Sequence, residues 1–165
     1  MKIQLQAIYS VGHSNRSLKE FIALLKEYGV ELVVDVRRFP TSKWEWFRGD
    51  RLKGELEKNG LGYMYLGSQL GGFRKGGYLK HMGTQDFREG VEKILKLAEK
   101  SRIAIMCAEK IVYRCHRRHI SRYLQQRGVR VIHIADKGKC FDLEARRKRK
   151  SREFRKAAST SLSSF

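Results

Sequence analysis

Apolar residues along the chain follow two alternating patterns, one typical of buried strands and one typical of amphipathic helices. Short apolar runs that are rich in β-branched residues and bounded by turn-forming residues predict five strands. They lie at residues 7–11, 31–36, 63–66, 102–107 and 129–134.

Helical spacing of apolar residues predicts four helices between these strands. The first begins after Ser17, where Glu20 completes a Ser-x-x-Glu capping box. The others begin near Asp50, Thr84 and Cys115. Strands alternating with helices predict a three-layer α/β fold, with a mainly parallel five-stranded sheet and helices on both faces.

The chain changes character after residue 135. Residues 1–135 predict a single α/β domain, whereas 136–165 predict a basic C-terminal extension, helical over about 142–156 and disordered over 157–165. No apolar run approaches the roughly 20 residues that a membrane helix needs, and the first ten residues lack the apolar core of a signal peptide. Three cysteines without disulfide-dense spacing favour a reducing, cytoplasmic location.

The charge of the chain points to a polyanionic partner. The chain has 36 Lys and Arg against 17 Asp and Glu, a formal net charge of +19. Residues 37–53, 110–130 and 137–156 carry +4, +7 and +7 of this excess. Nucleic acid, with DNA favoured, is therefore the expected partner, and no membrane partner is expected. The oligomeric state does not follow from these patterns.

Two carboxylates are candidate catalytic groups. Asp35 ends an apolar strand, and Glu109 lies two residues past the end of another. Because the carboxyl ends of parallel strands share one edge of a sheet, either carboxylate could activate water as a general base near Arg37 or Arg117. The alternative is that both form structural ion pairs with those arginines.

Hydrogen-bond donors and glycines also collect at strand ends and helix starts, where backbone amides and arginines bind anions. The candidate substrate- or anion-binding residues are His13, Ser14, Asn15, Arg37, Gly71, Gly72, His116 and Arg117. The competing interpretation gives some of them local roles: Ser14 and Asn15 cap a helix, and His116 packs above Ile120.

Cys107 is the third candidate catalytic residue, and it has three interpretations. It could be a thiolate nucleophile in an anion-binding loop ending at Arg114, but the six intervening residues include an acid and no glycine, unlike a phosphatase loop. It could bind zinc together with Cys115, His116 and His119, although the spacing is not that of a zinc finger. The favoured interpretation is a small buried residue that closes a strand. No cofactor is firmly implied, and a divalent metal or zinc stays an alternative.

Basic residues interleaved with aromatic residues favour nucleic acid, because arginines contact phosphates and rings stack on bases. The pattern occurs in the loop 37–53 and on a smaller scale in 73–78, and a basic run follows at 146–150. The candidate nucleic-acid-binding residues are Arg38, Lys43, Trp44, Trp46, Arg48, Arg74, Lys75, Arg146, Arg147, Lys148, Arg149 and Lys150. In the alternative, the rings form a hydrophobic lid over the sheet edge and the basic run is a solvated tail.

The strand-end motifs together resemble a known family. They are Val11-Gly12-His13-Ser14, Val34-Asp35-Val36-Arg37 with Pro40 and Ser42, Leu70-Gly71-Gly72, Met82-Gly83-Thr84 with Phe87, and Cys107-Ala108-Glu109 followed by Cys115-His116-Arg117. In combination they resemble the prokaryotic family catalogued as domain of unknown function 488, over about residues 7–135. The resemblance implies an α/β domain with a site built from these segments, and it implies no particular reaction.

Three hypotheses of function account for the charge and the strand-end residues. The leading one is a nucleic-acid enzyme of repair type that removes a base or nucleotide from DNA by hydrolysis, with Asp35 or Glu109 as general base. The first alternative is a phosphatase or sulfurtransferase-like enzyme that depends on Cys107. The second is a non-catalytic protein that binds DNA or RNA through its charge.

Overall fold

The computed structural model describes residues 5–162, apart from the side chains of residues 146, 147, 161 and 162, and has one six-stranded sheet with helices on both faces. The strands are β1 (Ile8–Gly12), β2 (Leu32–Asp35), β3 (Gly62–Tyr65), β4 (Ile103–Cys107), β5 (Val131–Asp136) and β6 (Lys139–Asp142). The helices are α1 (Leu18–Glu27), α2 (Gly49–Lys58), α3 (Gly67–Leu70), α4 (Tyr78–His81), α5 (Gln85–Lys100), α6 (Arg117–Gln126) and α7 (Leu143–Leu162). Single 3-10 turns lie at Glu45–Phe47 and Val112–Arg114.

The sheet has the strand order β3-β2-β4-β1-β5-β6. The first five strands of this order are parallel, and β6 pairs with β5 in the antiparallel direction. The predicted α/β class and the mainly parallel sheet are therefore confirmed. Within the described part of the chain, no helix is both long and apolar enough to cross a membrane.

The C-terminal segment differs from its prediction. Residues 139–142, placed by the sequence in a basic extension, form the sixth strand of the sheet after a turn in which Gly138 has a φ of 63°. Helix α7 continues to Leu162 and does not end near 156. The hydrophobic pattern does not predict this strand, because two of its four residues are charged and only two are apolar. Ion pairs at i,i+4 spacing, such as Lys148–Glu144 at 2.9 Å, support a helix that buries little.

Side chains that alternate along the strands build two hydrophobic cores. On β4, Ile103, Ile105 and Cys107 face a core that α5 and α6 cover, and Leu143 at the start of α7 also packs there. The remaining β4 side chains, Ala104 and Met106, face a second core that α1 and α2 cover. A continuous apolar strand is therefore the expected sequence for β4, since both of its faces are buried.

Helix starts agree with the sequence in two cases and differ in two. Ser17 and Glu20 form the predicted capping box, and Thr84 accepts a hydrogen bond from the backbone N–H of Phe87. Asp50 lies inside the first turn of α2 and does not cap it. Cys115 precedes α6, which begins at Arg117.

The connections that follow the neighbouring strands β2 and β4 cross opposite faces of the sheet. After β2 the chain passes to β3 through α2 on one face of the sheet, and after β4 it passes to β5 through α6 on the other face. This divergence opens a cleft beyond the carboxyl ends of the two strands, which is where ligands bind in open α/β sheets.

Candidate functional site

The cleft between the ends of β2 and β4 has a volume of about 640 Å³. Its walls come from the segments after β2, after α3 and after β4, and from the start of α6. Exposed Phe39 and Phe73 line it together with the buried Cys107 and Cys115 and with His116. Small-molecule sites of this size typically combine apolar walls with a few polar groups, as here.

Two free cysteines meet in the wall of the cleft. The Sγ atoms of Cys107 and Cys115 lie 2.7 Å apart, and the residues are 4% and 7% exposed. This distance exceeds the roughly 2.05 Å of a disulfide bond. The two sulfurs therefore share a hydrogen bond between one donor thiol and one acceptor.

Arg117 is completely buried behind the two sulfurs, with 0% exposure. Its Nε lies 3.1 Å from Cys107 Sγ and 3.4 Å from Cys115 Sγ. Its two terminal nitrogens donate to Ser10 Oγ, at 2.7 Å, and to the carbonyl oxygen of Glu109.

No carboxylate of residues 5–162 forms an ion pair with Arg117. A guanidinium cannot lose its proton in a protein, and a buried charge is costly without a counter-charge. The two thiols are the groups in contact with Arg117 that can become anionic. The geometry thus favours one thiolate in the Cys107–Cys115 pair.

The surroundings of Cys115 favour it as the member of the pair that carries the negative charge. The hydrogen bond from Cys107, followed by the positive charge of Arg117, lowers the pKa of Cys115 to about 6. The backbone N–H of Arg117, at the start of α6, also donates to Cys115 Sγ at 3.4 Å. The shared hydrogen bond and burial raise the pKa of Cys107 well above its usual value. These contacts favour a Cys115 thiolate that accepts a hydrogen bond from the Cys107 thiol.

His116 places a neutral imidazole beside this thiolate. Its Nε2 donates to the carbonyl oxygen of Val36 at 2.8 Å, and burial lowers its pKa. Nδ1 is then unprotonated and lies 3.6 Å from Cys115 Sγ. A Cβ atom at Gly72 would come within 3.3 Å of Nδ1, so this glycine leaves room for the ring. Nδ1 can accept a proton from a group bound in the cleft.

A family model described as domain of unknown function DUF488 matches residues 17–124. The chain belongs to this family. Comparisons with curated proteins and with solved structures returned no match. The match contains the whole sulfur pair and Arg117, so the candidate site lies inside the DUF488 domain, whereas β6 and α7 lie outside it.

Asp35 has a different place in this DUF488 domain from the one expected of a general base. It is 0% exposed. Its Oδ1 accepts hydrogen bonds from the backbone N–H and the Nε of Arg37, and its Oδ2 accepts from Arg37 at 2.7 Å and from the Tyr63 hydroxyl at 2.6 Å. Both oxygens are thus occupied and out of contact with solvent. Of the two interpretations of Asp35, the structural ion pair describes its contacts, and activation of water does not.

His13 and Arg37 belong to the same buried network. His13 Nδ1 donates to the carbonyl oxygen of Ser14 at 2.9 Å, and its Nε2 accepts from Arg37 at 3.3 Å. Its ring stacks on Phe47 with centroids 4.1 Å apart. Burial lowers the pKa of His13 to about 4, so the ring is neutral at pH 7. These contacts position the end of β2 and leave little of either side chain for an anion.

Glu109 and the remaining anion-binding candidates lie in different surroundings. Glu109 is exposed at the cleft, where its Oε1 accepts from the backbone N–H of Ile111. Asn15 lines a separate cavity near α1, and Ser14 has a φ of 51° in the turn that leads there. Gly71 allows close packing, because an added Cβ would overlap the backbone of Arg38. Asn15 therefore lies away from the cleft, whereas the backbone N–H of Ser14 donates to the carbonyl oxygen of Ala108, which lines the cleft.

The contacts of the two tryptophans agree with the second interpretation of these rings, a hydrophobic lid, and not with stacking on bases. Trp44 and Trp46 are half-buried on the core of α1 and α2, with ring centroids 5.3 Å apart, and Trp46 Nε1 donates to the carbonyl oxygen of Arg16. The exposed rings are Phe39, 61% exposed, and Phe73, 88% exposed. Both lie in the basic–aromatic segments 37–53 and 73–78 of the sequence, although the candidates there are only basic residues and the two tryptophans.

Some of the predicted nucleic-acid-binding side chains are hydrogen-bonded within the protein, and others are exposed to solvent. Arg74 donates to the carbonyl oxygens of Gly71 and Ser68, and its role is to hold the loop after α3. Arg38 lies at the cleft beside Phe39, whereas Lys43, Arg48, Lys75, Lys148, Arg149 and Lys150 are exposed at the surface. The side chains of Arg146 and Arg147 lie outside the part that the structure describes.

Donor atoms of Cys107, Cys115 and His116 all lie within 4.8 Å of one another, so this cluster could hold a metal ion. His119, the fourth candidate ligand, stacks on Tyr78 and accepts a hydrogen bond from Arg118. Thiolate–zinc bonds of about 2.3 Å place two sulfurs roughly 3.8 Å apart in a tetrahedral site. The sulfurs here are closer, at 2.7 Å, and a cation lies against both of them. The cluster in this state fits an anion–arginine pair better than zinc.

Proposed function

We propose that this protein is an enzyme that uses the Cys115 thiolate as a nucleophile toward an anionic substrate bound in the cleft. The observation that carries the proposal is the fully buried Arg117, whose charge faces two sulfurs and, among residues 5–162, no carboxylate. A stabilised thiolate in a cleft at a strand end is the usual setting of nucleophilic cysteine catalysis. This develops the cysteine alternative of the sequence, with the nucleophile moved from Cys107 to its neighbour in space.

The charge of the cleft favours an anionic substrate. Arg38, Arg114 and Arg118 line it, against one exposed carboxylate, that of Glu109. Arginine at such positions binds carboxylates or phosphates through paired hydrogen bonds. The exposed rings of Phe39 and Phe73 in the same cleft suit an apolar part of the same molecule.

Carboxylate-based hydrolysis of nucleic acid has less support in this geometry. With Asp35 committed to its ion pair, Glu109 is the remaining candidate base, and it is an exposed carboxylate that accepts a hydrogen bond from the backbone N–H of Ile111. A metal-bound form of Cys107, Cys115 and His116, with zinc the favoured ion, is the competing proposal for the same side chains. It predicts that a chelator exposes the thiols and that metal protects them.

Alkylation of the thiols as a function of pH tests the proposal. In a Cys140→Ser background, which removes the exposed third thiol, one cysteine should react with iodoacetamide with a midpoint near pH 6. Peptide mapping should place the label on Cys115, and Cys115→Ser should abolish this phase. The ratio of the alkylation rate with iodoacetate to that with iodoacetamide should be higher in the folded protein than in the unfolded chain, because the cleft attracts anions.

Two variants of α6 provide the control. Arg117→Met should raise the midpoint by more than one pH unit, whereas Arg122→Met, which removes an exposed charge from the same helix, should leave it in place. A midpoint near the ordinary thiol value of about 8.5 in the unmodified protein would sink the proposal.

Binding of nucleic acid, with DNA favoured, is a second and separate proposal, supported by α7. This helix exposes a series of basic side chains: Lys148, Arg149, Lys150, Arg152, Arg155 and Lys156. Such a surface suits the regularly spaced phosphates of a nucleic-acid backbone. Affinity that falls steeply with salt is the measurement that identifies it.

A further inference from the structure

Resting on the nucleophilic role of Cys115, we infer that Cys107 is the resolving thiol of a dithiol–disulfide exchange centre whose substrates are acidic disulfides. A nucleophile alone needs no second thiol. Here a second thiol lies 2.7 Å from the first, and both reach the cleft.

The geometry assigns different parts to the two cysteines. Cys115 lies directly before α6, where the backbone N–H of Arg117 donates to its Sγ, so it is the sulfur poised to attack an incoming disulfide. Cys107 ends β4 and lies against the first sulfur. Forming a bond between the two sulfurs requires each to move by only a few tenths of an ångström, because a disulfide is about 2.05 Å long.

The exchange can be written with all atoms balanced. Cys115 Sγ attacks one sulfur of the substrate R–S–S–R, forming a mixed disulfide and releasing RS⁻. The released thiolate takes a proton from the Cys107 thiol. Cys107 Sγ then attacks Cys115 Sγ, the bond to the substrate breaks, and a second RS⁻ leaves to be protonated by solvent. The substrate is reduced by two electrons to two thiols, and the cysteine pair is oxidised to a disulfide that monothiols in solution reduce again.

Arg117 decides which redox state of the pair is favoured. In the reduced state its charge faces a thiolate. A disulfide is neutral, so oxidation leaves the fully buried guanidinium with neutral oxygens, those of Ser10 and Glu109, as its partners. A buried charge without a counter-charge is unfavourable. The disulfide is therefore a reactive intermediate that is readily reduced, unlike a structural disulfide.

Acidic disulfides fit the cleft because of its arginines. Arg114 and Arg118 are exposed and line the cleft that the sulfur pair also lines, and Arg38 lines it beside Phe39. Carboxylates on either half of a small peptide disulfide can contact these guanidinium groups while the sulfur–sulfur bond approaches Cys115. Oxidised glutathione has this chemistry and is the probe for the experiment.

Trapping of the mixed disulfide tests the resolving role. The full chain with Cys140→Ser is mixed with oxidised glutathione and analysed by intact-mass measurement after acid quenching. With both cysteines present, we expect a protein whose mass has fallen by two hydrogen atoms and that carries no glutathione. With Cys107→Ser, the glutathione adduct at Cys115 should persist at least tenfold longer, and Cys115→Ser should slow the reaction at least tenfold.

The equilibrium between the dithiol and disulfide states tests the part played by Arg117. In glutathione redox buffers, Arg117→Met should shift the equilibrium at least tenfold toward the disulfide, whereas Arg122→Met should not move it. Arg117→Lys keeps the charge and should stay close to the unmodified protein. It also serves if the methionine variant does not fold.

The outcomes separate this inference from the proposed function. If the Cys115 adduct forms but is equally long-lived with and without Cys107, the resolving role is wrong and the nucleophile stands. If Cys115 forms no adduct and shows no alkylation near pH 6, both proposals are wrong. Neutral disulfides reacting as fast as oxidised glutathione would contradict the assignment of acidic substrates.

Discussion

Buried polar side chains are the most unusual residues of this protein, and each has a structural consequence. Asp35, Arg37, Arg117, His13 and His133 are all buried, at positions where apolar side chains usually lie. Buried charges persist only where partners compensate them. Their partners therefore show which of them hold the fold together and which are available for chemistry.

Replacement of Asp35 should affect stability and leave thiol chemistry in place. Asp35→Asn removes the counter-charge of buried Arg37, which typically costs about 3–5 kcal/mol. Tyr63→Phe removes one hydrogen bond from the same carboxylate and should cost about 1–3 kcal/mol. Urea unfolding measures both. A folded Asp35→Asn protein of normal stability that had lost low-pH alkylation of Cys115 would instead give Asp35 a chemical role.

Stability should fall when the pH falls from 7 to 5, because two histidines are buried without charge. Burial lowers the pKa of His13 to about 4 and that of His133 to about 3, while both titrate near 6.5 in the unfolded chain. Below pH 6.5 both histidines bind protons in the unfolded chain but not in the folded protein. The free energy of unfolding therefore decreases until the pH reaches the pKa of each histidine in the folded protein. Each histidine should contribute about 2 kcal/mol between pH 7 and pH 5.

Urea unfolding of a His133→Gln variant at several pH values checks this dependence. Over the same range its free energy of unfolding should decrease by about 2 kcal/mol less than that of the unmodified protein. A pH-independent free energy of unfolding in the unmodified protein would show that the two rings are not neutral when folded.

At the scale of elements, the site depends on how closely the end of β1 approaches the segment after β4. Gly12 lies opposite Cys107 in the parallel pairing, and an added Cβ would overlap the carbonyl group of Glu109. The same carbonyl accepts a hydrogen bond from Arg117. The absence of a side chain at one strand end thus allows the loop that supports the thiolate to sit where it does.

Two glycine substitutions should have opposite effects. Gly12→Ala forces β1 and the loop after β4 apart and should cost about 3 kcal/mol, a typical figure for overpacking. It should also raise the alkylation midpoint of Cys115. Gly54→Ala, in the middle of α2 where an added Cβ meets nothing within 4 Å, should stabilise the protein by about 0.5–1 kcal/mol. Thermal melts measure both, and equal melting temperatures would contradict the close approach at Gly12.

At the scale of the whole molecule, the charge excess has separable parts. Arg37, Arg74 and Arg117 are held by the fold, so they contribute charge without presenting it to a partner. Helix α7 exposes most of its basic side chains to solvent. The net charge of +19 therefore overstates how many basic side chains a polyanion can contact near the cleft. On α7, by contrast, most basic side chains are available for such contacts.

Neutralising α7 should weaken binding to DNA without changing the cleft. A full-length variant with Lys150, Arg152, Arg155 and Lys156 changed to Gln should bind a DNA duplex more weakly, with a salt slope lower by about 3. Its Cys115 alkylation should be unchanged. The control changes Lys19, Lys26, Lys96 and Lys100 to Gln, the same number of charges on α1 and α5. Equal losses in both variants would show that net charge, and not α7, is what binds.

The alternating hydrophobic pattern alone determined the α/β class, the five parallel strands and most helix positions, because burial on both faces of a parallel sheet requires apolar strands at regular intervals. It also placed Asp35, Cys107, Glu109 and the start of α6 at one sheet edge. The hydrophobic pattern did not predict the charge-rich strand β6, since an edge strand with one covered face needs few apolar residues.

Only the tertiary structure decided what the strand-end residues do. A sequence shows that Asp35 and Arg37 are two residues apart, but not that both are buried and committed to each other. It shows Cys107 and Cys115 eight residues apart, but not that their sulfurs touch over a buried arginine. A pKa depends on which groups share a low-dielectric space, and that proximity exists only after the chain has folded.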